Sequence, residues 1–146
     1  MLMNKRLIDQ HIYVPDDFPD MQALLLTTLE EWERMDGYHL RQAMLRLSQY
    51  HLYVTVLVNH VEQEAALLKR NYEEILAQAA AVQPASVKTL SERRALAQQD
   101  PACLAIRQQW EEAEKERALL ANVPDAVKEL LYSVRKAFDR GMMGDG

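Results

Sequence analysis

The sequence predicts an all-α protein, in which one long heptad-patterned helix and several shorter helices form an oligomeric helical bundle. Three observations carry that expectation. Glycine occurs only at 37, 141, 144 and 146, so residues 38–140 contain none. Five prolines and abundant Ala, Leu, Glu, Gln and Arg make a helix-forming composition, with no convincing alternating strand. Finally, positions 40, 44, 47, 51, 54, 58, 61, 65, 68, 72, 75 and 79 alternate steps of four and three without a slip.

The chain is expected to be a single helical domain over 1–146. Residues 1–16 form an irregular lead. Asp17 is placed to cap a first helix over 17–36, with Pro19 in its first turn and Asp20 at the third position. Met21, Leu24, Leu25, Leu29 and Trp32 would share its inner face, and Asp36-Gly37 would end it.

The long helix covers 38–81. Its seam reads Leu, Met, Leu, His, Val, Val, Val, Ala, Leu, Tyr, Ile, Ala, and only His51 interrupts the apolar run. At about 1.5 Å per residue such a helix is roughly 65 Å long. The seam must meet either the chain's later helices or other subunits. Tyr50, Leu57 and Leu76 widen the stripe beyond a two-stranded zipper and favour a multi-helix bundle. The oligomer interface is therefore expected at Leu47, His51, Val54, Val58 and Val61, with Leu131, Val134 and Phe138 from the last helix.

Residues 82–100 interrupt the pattern. Pro84 ends the long helix, and Thr89-Leu90-Ser91-Glu92 has capping-box spacing for a short helix through Gln98. Asp100-Pro101 starts a helix over 101–121 that buries Ile106, Trp110, Ala113 and Leu120. A last helix over 124–140 presents Val127, Leu130, Leu131, Val134 and Phe138 and stops at Gly141, leaving a loose tail over 141–146.

Charge and chemistry narrow the function. The net charge of −5 is unevenly placed. In residues 1–36, Lys5, Arg6 and Arg34 face eight carboxylates, so the remaining 110 residues balance to zero. One cysteine, Cys103, allows no intrachain disulfide, which fits a reducing compartment such as the cytoplasm. No apolar stretch is long enough to span a membrane. No glycine-rich phosphate loop exists, and no nucleophile comes with a base at a suggestive spacing. Cys103 sits where a helix dipole would acidify it, but a small core residue is the simpler reading. Asp36 with His39, and His60 with Glu64, share helix faces without completing a metal motif. Neither an enzyme, a cofactor nor a metal ion is expected. His51 is read as a bonded polar residue at a wide point of the bundle rather than a pH device.

The basic residues remain. Lys69 and Arg70 lie near the end of the long helix, Lys88, Arg93 and Arg94 follow it, and Arg135, Lys136 and Arg140 line the last helix. On composition alone they read as solvated surface; gathered and repeated in an oligomer, they would neutralise a phosphate backbone.

The segment Ala66-Leu67-Leu68-Lys69-Arg70-Asn71-Tyr72 and the ending Val134-Arg135-Lys136-Ala137-Phe138-Asp139-Arg140-Gly141 resemble signatures of the UvsY-type recombination mediators of tailed phages. The resemblance covers most of the chain, as architecture more than identity, and the Lys-to-Arg spacing is one residue shorter here. It implies a homo-oligomer that binds single-stranded DNA in a bacterial host and helps load a RecA-like recombinase, beside single-strand-binding protein. The DNA contacts would be Lys69, Arg70, Tyr72, Lys88, Arg93 and Arg94. The competing expectation is an oligomeric structural or adaptor protein that binds no nucleic acid.

Overall fold

A computed structural model describes residues 18–144 of the chain. Among them, helices account for nearly all regular structure and no strand occurs: α1 (Met21–Leu26), α2 (Leu29–Arg34), α3 (Gly37–Ala81), α4 (Leu90–Ala97), α5 (Pro101–Leu120) and α6 (Val123–Gly144). The chain divides into two compact units. Met1–Leu57 with Ala121–Gly146 make the first, and Val58–Leu120 makes the second. α3 contributes to both.

In the first unit, the single helix expected over 17–36 is two short ones. Thr27 is extended at ψ 129° and donates its hydroxyl to the carbonyl of Ala23, closing α1. Thr28 then opens α2 with a complete capping box. Its Oγ1 accepts from the Glu31 amide at 3.3 Å, and the Glu31 carboxylate accepts from the Thr28 amide at 2.8 Å. Two donors that a helix start would leave unpaired are satisfied, so breaking the helix here costs little. Asp20 stands just before α1 rather than in its third position and makes no side-chain cap. Asp17, read as the cap, lies outside the described residues.

α3 begins where Asp36-Gly37 predicts. The Asp36 carboxylate accepts from the His39 amide at 2.8 Å and meets the His39 ring at 2.7 Å. α2 packs on α6, and Arg140 of α6 reaches Glu33 of α2 at 2.9 Å. Phe138 of α6 lies beside Gly37 and beneath the Arg41 guanidinium, 5.4 Å from the ring centre. The buried side chains of this unit include Met21, Leu25, Trp32, Leu40, Leu47, Tyr50, Val54, Val127 and Val134. α6 runs on to Gly144 instead of stopping at Gly141, which keeps a helical backbone and so provides no left-handed stop.

In the second unit, α3 ends at Ala81, α4 starts on Thr89 and α5 starts on Asp100, as the spacing predicts. The Thr89 hydroxyl accepts from Glu92 and the Asp100 carboxylate from Ala102. Tyr72, Leu76 and Ala80 of α3, Ala97 of α4 and Cys103 of α5 form a buried cluster. Ile75, Ala79, Ile106 and Trp110 pack around it.

None of the twelve seam positions of α3 is exposed. Leu47, Val54 and Val134 are fully covered, Val58 and Val61 are buried, and His51, Leu131 and Phe138 are half-buried. The proposed oligomer contacts are thus largely consumed inside one chain. The seam of α3 therefore does not by itself require a second copy to cover it.

This burial predicts a sharp contrast within one helix. Leu47→Ala should destabilise the protein by about 2–5 kcal/mol, because it empties a fully buried site. Leu52→Ala, five residues on but 66% exposed, should cost less than about 0.5 kcal/mol. Paired denaturant titrations measure both.

A second expectation concerns pH. The His39 amide, helped by the His39 ring, holds the Asp36 carboxyl below the usual carboxylate range. A lowered folded pKa contributes stability that is present above the unfolded value and disappears as pH falls through the folded one. Asp36→Ala should therefore lower the melting temperature at neutral pH. The gap from the unsubstituted protein should close below about pH 4.

Candidate functional site

The end of α3 is built around a guanidinium. A helix leaves its last carbonyls without intrahelical partners, and its C-terminus carries partial negative charge. Here Arg93, one turn into α4, folds back onto that end. Its Nε donates to the Val87 carbonyl at 2.8 Å, and its Nη1 to the carbonyls of Gln83 at 3.3 Å and Ala80 at 3.4 Å. The Gln83 amide donates to Ala79 at 3.1 Å. One planar fork thus ties the last turn of α3 and the following loop to α4, a job suited to arginine's fixed donors. Arg93 was expected to bind phosphate. Its half-buried guanidinium is instead engaged with backbone.

Tyr72 is also committed elsewhere. It is buried in the α3–α4–α5 cluster, its ring stacked on Trp110 with centres 5.6 Å apart and planes at 24°. No base could stack on a face already covered in this way. The seam periodicity that includes position 72 accounts for it.

Lys69, Arg70, Lys88 and Arg94 are exposed. By position they form two pairs, Lys69-Arg70 on α3 and Lys88 with Arg94 around the start of α4. Arg93 marks the position of α4 near Ala80, ten residues and about 15 Å along α3 from Arg70. Their surroundings are acidic. Glu73 and Glu74 follow Arg70 at helical spacing. On α5, Arg117 donates to the Glu114 carboxylate at 2.9 and 3.1 Å. That bond holds Glu114 below the usual carboxylate range, with a smaller pull from the Lys69 ammonium. Glu114 raises Arg117 in return, and Glu62 adds to the effect. Residues 58–120 carry eight Lys and Arg against ten Asp and Glu. The unit that holds all six expected DNA contacts is net negative.

Two basic residues of α6 have local partners too. Arg140 pairs with Glu33, and the Lys136 ammonium lies 4.8 Å from the centre of the Tyr132 ring. Arg135 is exposed.

Cys103 is fully buried. Burial pushes its thiol above the ordinary range, and the Asp100 carboxylate pushes the same way, so its place in the first turn of α5 does not acidify it. Asp36 and His39 form an exposed helix cap. Among the described residues no three His, Cys, Asp or Glu side chains lie close enough to hold a metal ion. No helix among them is long and apolar enough to cross a membrane.

What sequence reasoning passed over is a second stripe on α3. Tyr38, Leu45, Leu52 and Val56 are 68%, 54%, 66% and 60% exposed. Spaced seven, seven and four, they share one face, turned away from Leu40, Leu47 and Val54. The same arithmetic that found the seam would have found this stripe.

Compared with protein-family models, curated proteins and solved structures, the chain matches none.

The Arg93 fork makes a direct prediction. Arg93→Ala should lower stability by about 1–2 kcal/mol by removing the donor to the loop carbonyls of Gln83 and Val87. Arg93→Lys should not restore it, since one ammonium cannot reproduce the fork. Thermal melts read the loss, and amide exchange should accelerate first in α4.

Proposed function

We propose that this chain is a non-catalytic helical interaction module that binds another protein along the solvent face of α3. The observation supporting this reading is the second stripe. A helix that spends one apolar face on its own core has no folding need for another, and exposed apolar rows favour association. In the first unit this row of Tyr38, Leu45, Leu52 and Val56 lies opposite the buried Leu40, Leu47 and Val54. The intervening Gln42 and Gln49 are exposed and uncharged.

A second reading is single-stranded DNA binding of the mediator kind, with a RecA-like recombinase as protein partner. It is supported by the exposure of Lys69, Arg70, Lys88 and Arg94. Four cations in a net-negative unit give a short counterion-release term, so affinity would depend on repetition across copies.

Two measurements separate these readings. A photo-crosslinking residue at position 52, introduced in the native cell, should give a discrete protein adduct that Leu45→Glu abolishes. The same residue at exposed Glu112 should give none. In a gel shift with single-stranded DNA at about 50 mM salt, the module should leave the DNA free at micromolar protein. A salt-sensitive shift lost in an Arg70→Ala, Lys88→Ala, Arg94→Ala variant would instead establish the second reading.

A further inference from the structure

The chemistry of the partner is legible in the charges around the stripe. α3 has no Asp or Glu from Gly37 through Val61, and its first carboxylate is Glu62. Over the part that carries the stripe, its only fixed charges are Arg41 and Arg46. At 100° per residue, Arg41 projects about 60° to one side of the Tyr38–Val56 direction, and Arg46 about 80° to the other. They form two rims.

Both rims are held by aromatic rings. The Arg41 guanidinium lies 5.4 Å from the centre of Phe138, and that of Arg46 lies 5.9 Å from the centre of Phe18. Neither makes an ion pair among the described residues. A guanidinium fixed by a ring and lacking an anion presents its donors to whatever docks alongside, with less ordering to lose on binding.

We propose, on the basis of the interaction-module reading, that the stripe from Tyr38 to Val56 docks an amphipathic helix of a partner protein whose apolar seam is flanked by carboxylates. From Tyr38 to Val56 the stripe runs about 27 Å, five helical turns, which is the length of an ordinary docking helix. Leu45, Leu52 and Val56 would fill the partner's seam, and Arg41 and Arg46 would meet acidic residues on its two edges. A second copy of this face is a poor occupant. It would set arginine rims against arginine rims, with no carboxylate on either helix between 37 and 61 to relieve them.

Synthetic amphipathic helices of about 20 residues, fluorescently labelled and titrated with the full chain, test this. They share a leucine seam and differ only in flanking residues, Glu in one and Lys in the other. The Glu-flanked helix should bind more tightly by about fivefold or more, a preference that weakens as salt is raised. Leu52→Glu should abolish binding without lowering the melting temperature. Arg41→Gln with Arg46→Gln should erase the preference between the two peptides. Equal binding of both peptides, still lost in Leu52→Glu, overturns the acidic partner while leaving the module reading in place. No binding of either peptide overturns the proposal, and the crosslink at position 52 then judges the module reading separately. Two results would assign the stripe to another occupant and overturn the proposal as well: a dimer in sedimentation that Leu52→Glu dissolves, and Leu52-dependent binding to anionic phospholipid vesicles in place of peptide preference.

Discussion

An uninterrupted helix of 45 residues without an interior glycine or proline imposes one requirement on everything around it: its apolar seam must be covered. A chain of this size meets it with its own short helices. Leu40, Leu47 and Val54 are closed over in the first unit, and Val61, Ala65 and Tyr72 in the second. The other elements follow from that demand. α2 and α6 pack on each other in one unit, and α4 and α5 close over the far end of α3 in the other. Covering a rod with short pieces also multiplies helix ends. The structure spends its local polar chemistry there, on Thr28, Asp36, Thr89, Asp100 and Arg93.

How legible this was depended on the range of the interaction. Periodicity is local, so the limits of α3, α4 and α5 could be read within a residue or so. The break at Thr27-Thr28 was equally local: Thr28 and Glu31 have the same spacing as Thr89 and Glu92, but the apolar run on either side masked it. The role of Arg93 was not readable, since its acceptors lie six to thirteen residues away and meet it only once the loop has folded back. Tyr72 shows two signals in conflict. Its place on the seam implied burial, its place in a basic-aromatic segment implied contact with a ligand, and the seam prevailed. His51, the one polar seam residue, is half-buried.

The charges follow the same logic. Counting cations along a sequence overstates what a surface offers, because each has first to be left over by the fold. Arg93 is absorbed by carbonyls, Arg117 by Glu114 and Arg140 by Glu33. Arg41 and Arg46 rest on rings, which fix a cation without neutralising it. An arginine held this way keeps its electrostatic reach, whereas one in an ion pair has largely surrendered it. What each positive residue offers at the surface is thus set less by where it occurs in the chain than by what it touches.

Cys103 gives the second unit a built-in clock. It is the only thiol in the protein, it has no exposed surface, and its neighbours Ala80 and Ala97 belong to the two helices that the Arg93 fork joins. A thiol-reactive dye can reach it only during an excursion in which α4 or α5 lifts from α3. At saturating reagent, the modification rate equals the rate of that excursion; at low reagent, it reports the fraction of time spent open. The motions of this unit can therefore be timed with a stopped-flow spectrophotometer on the unaltered chain, without introducing a probe.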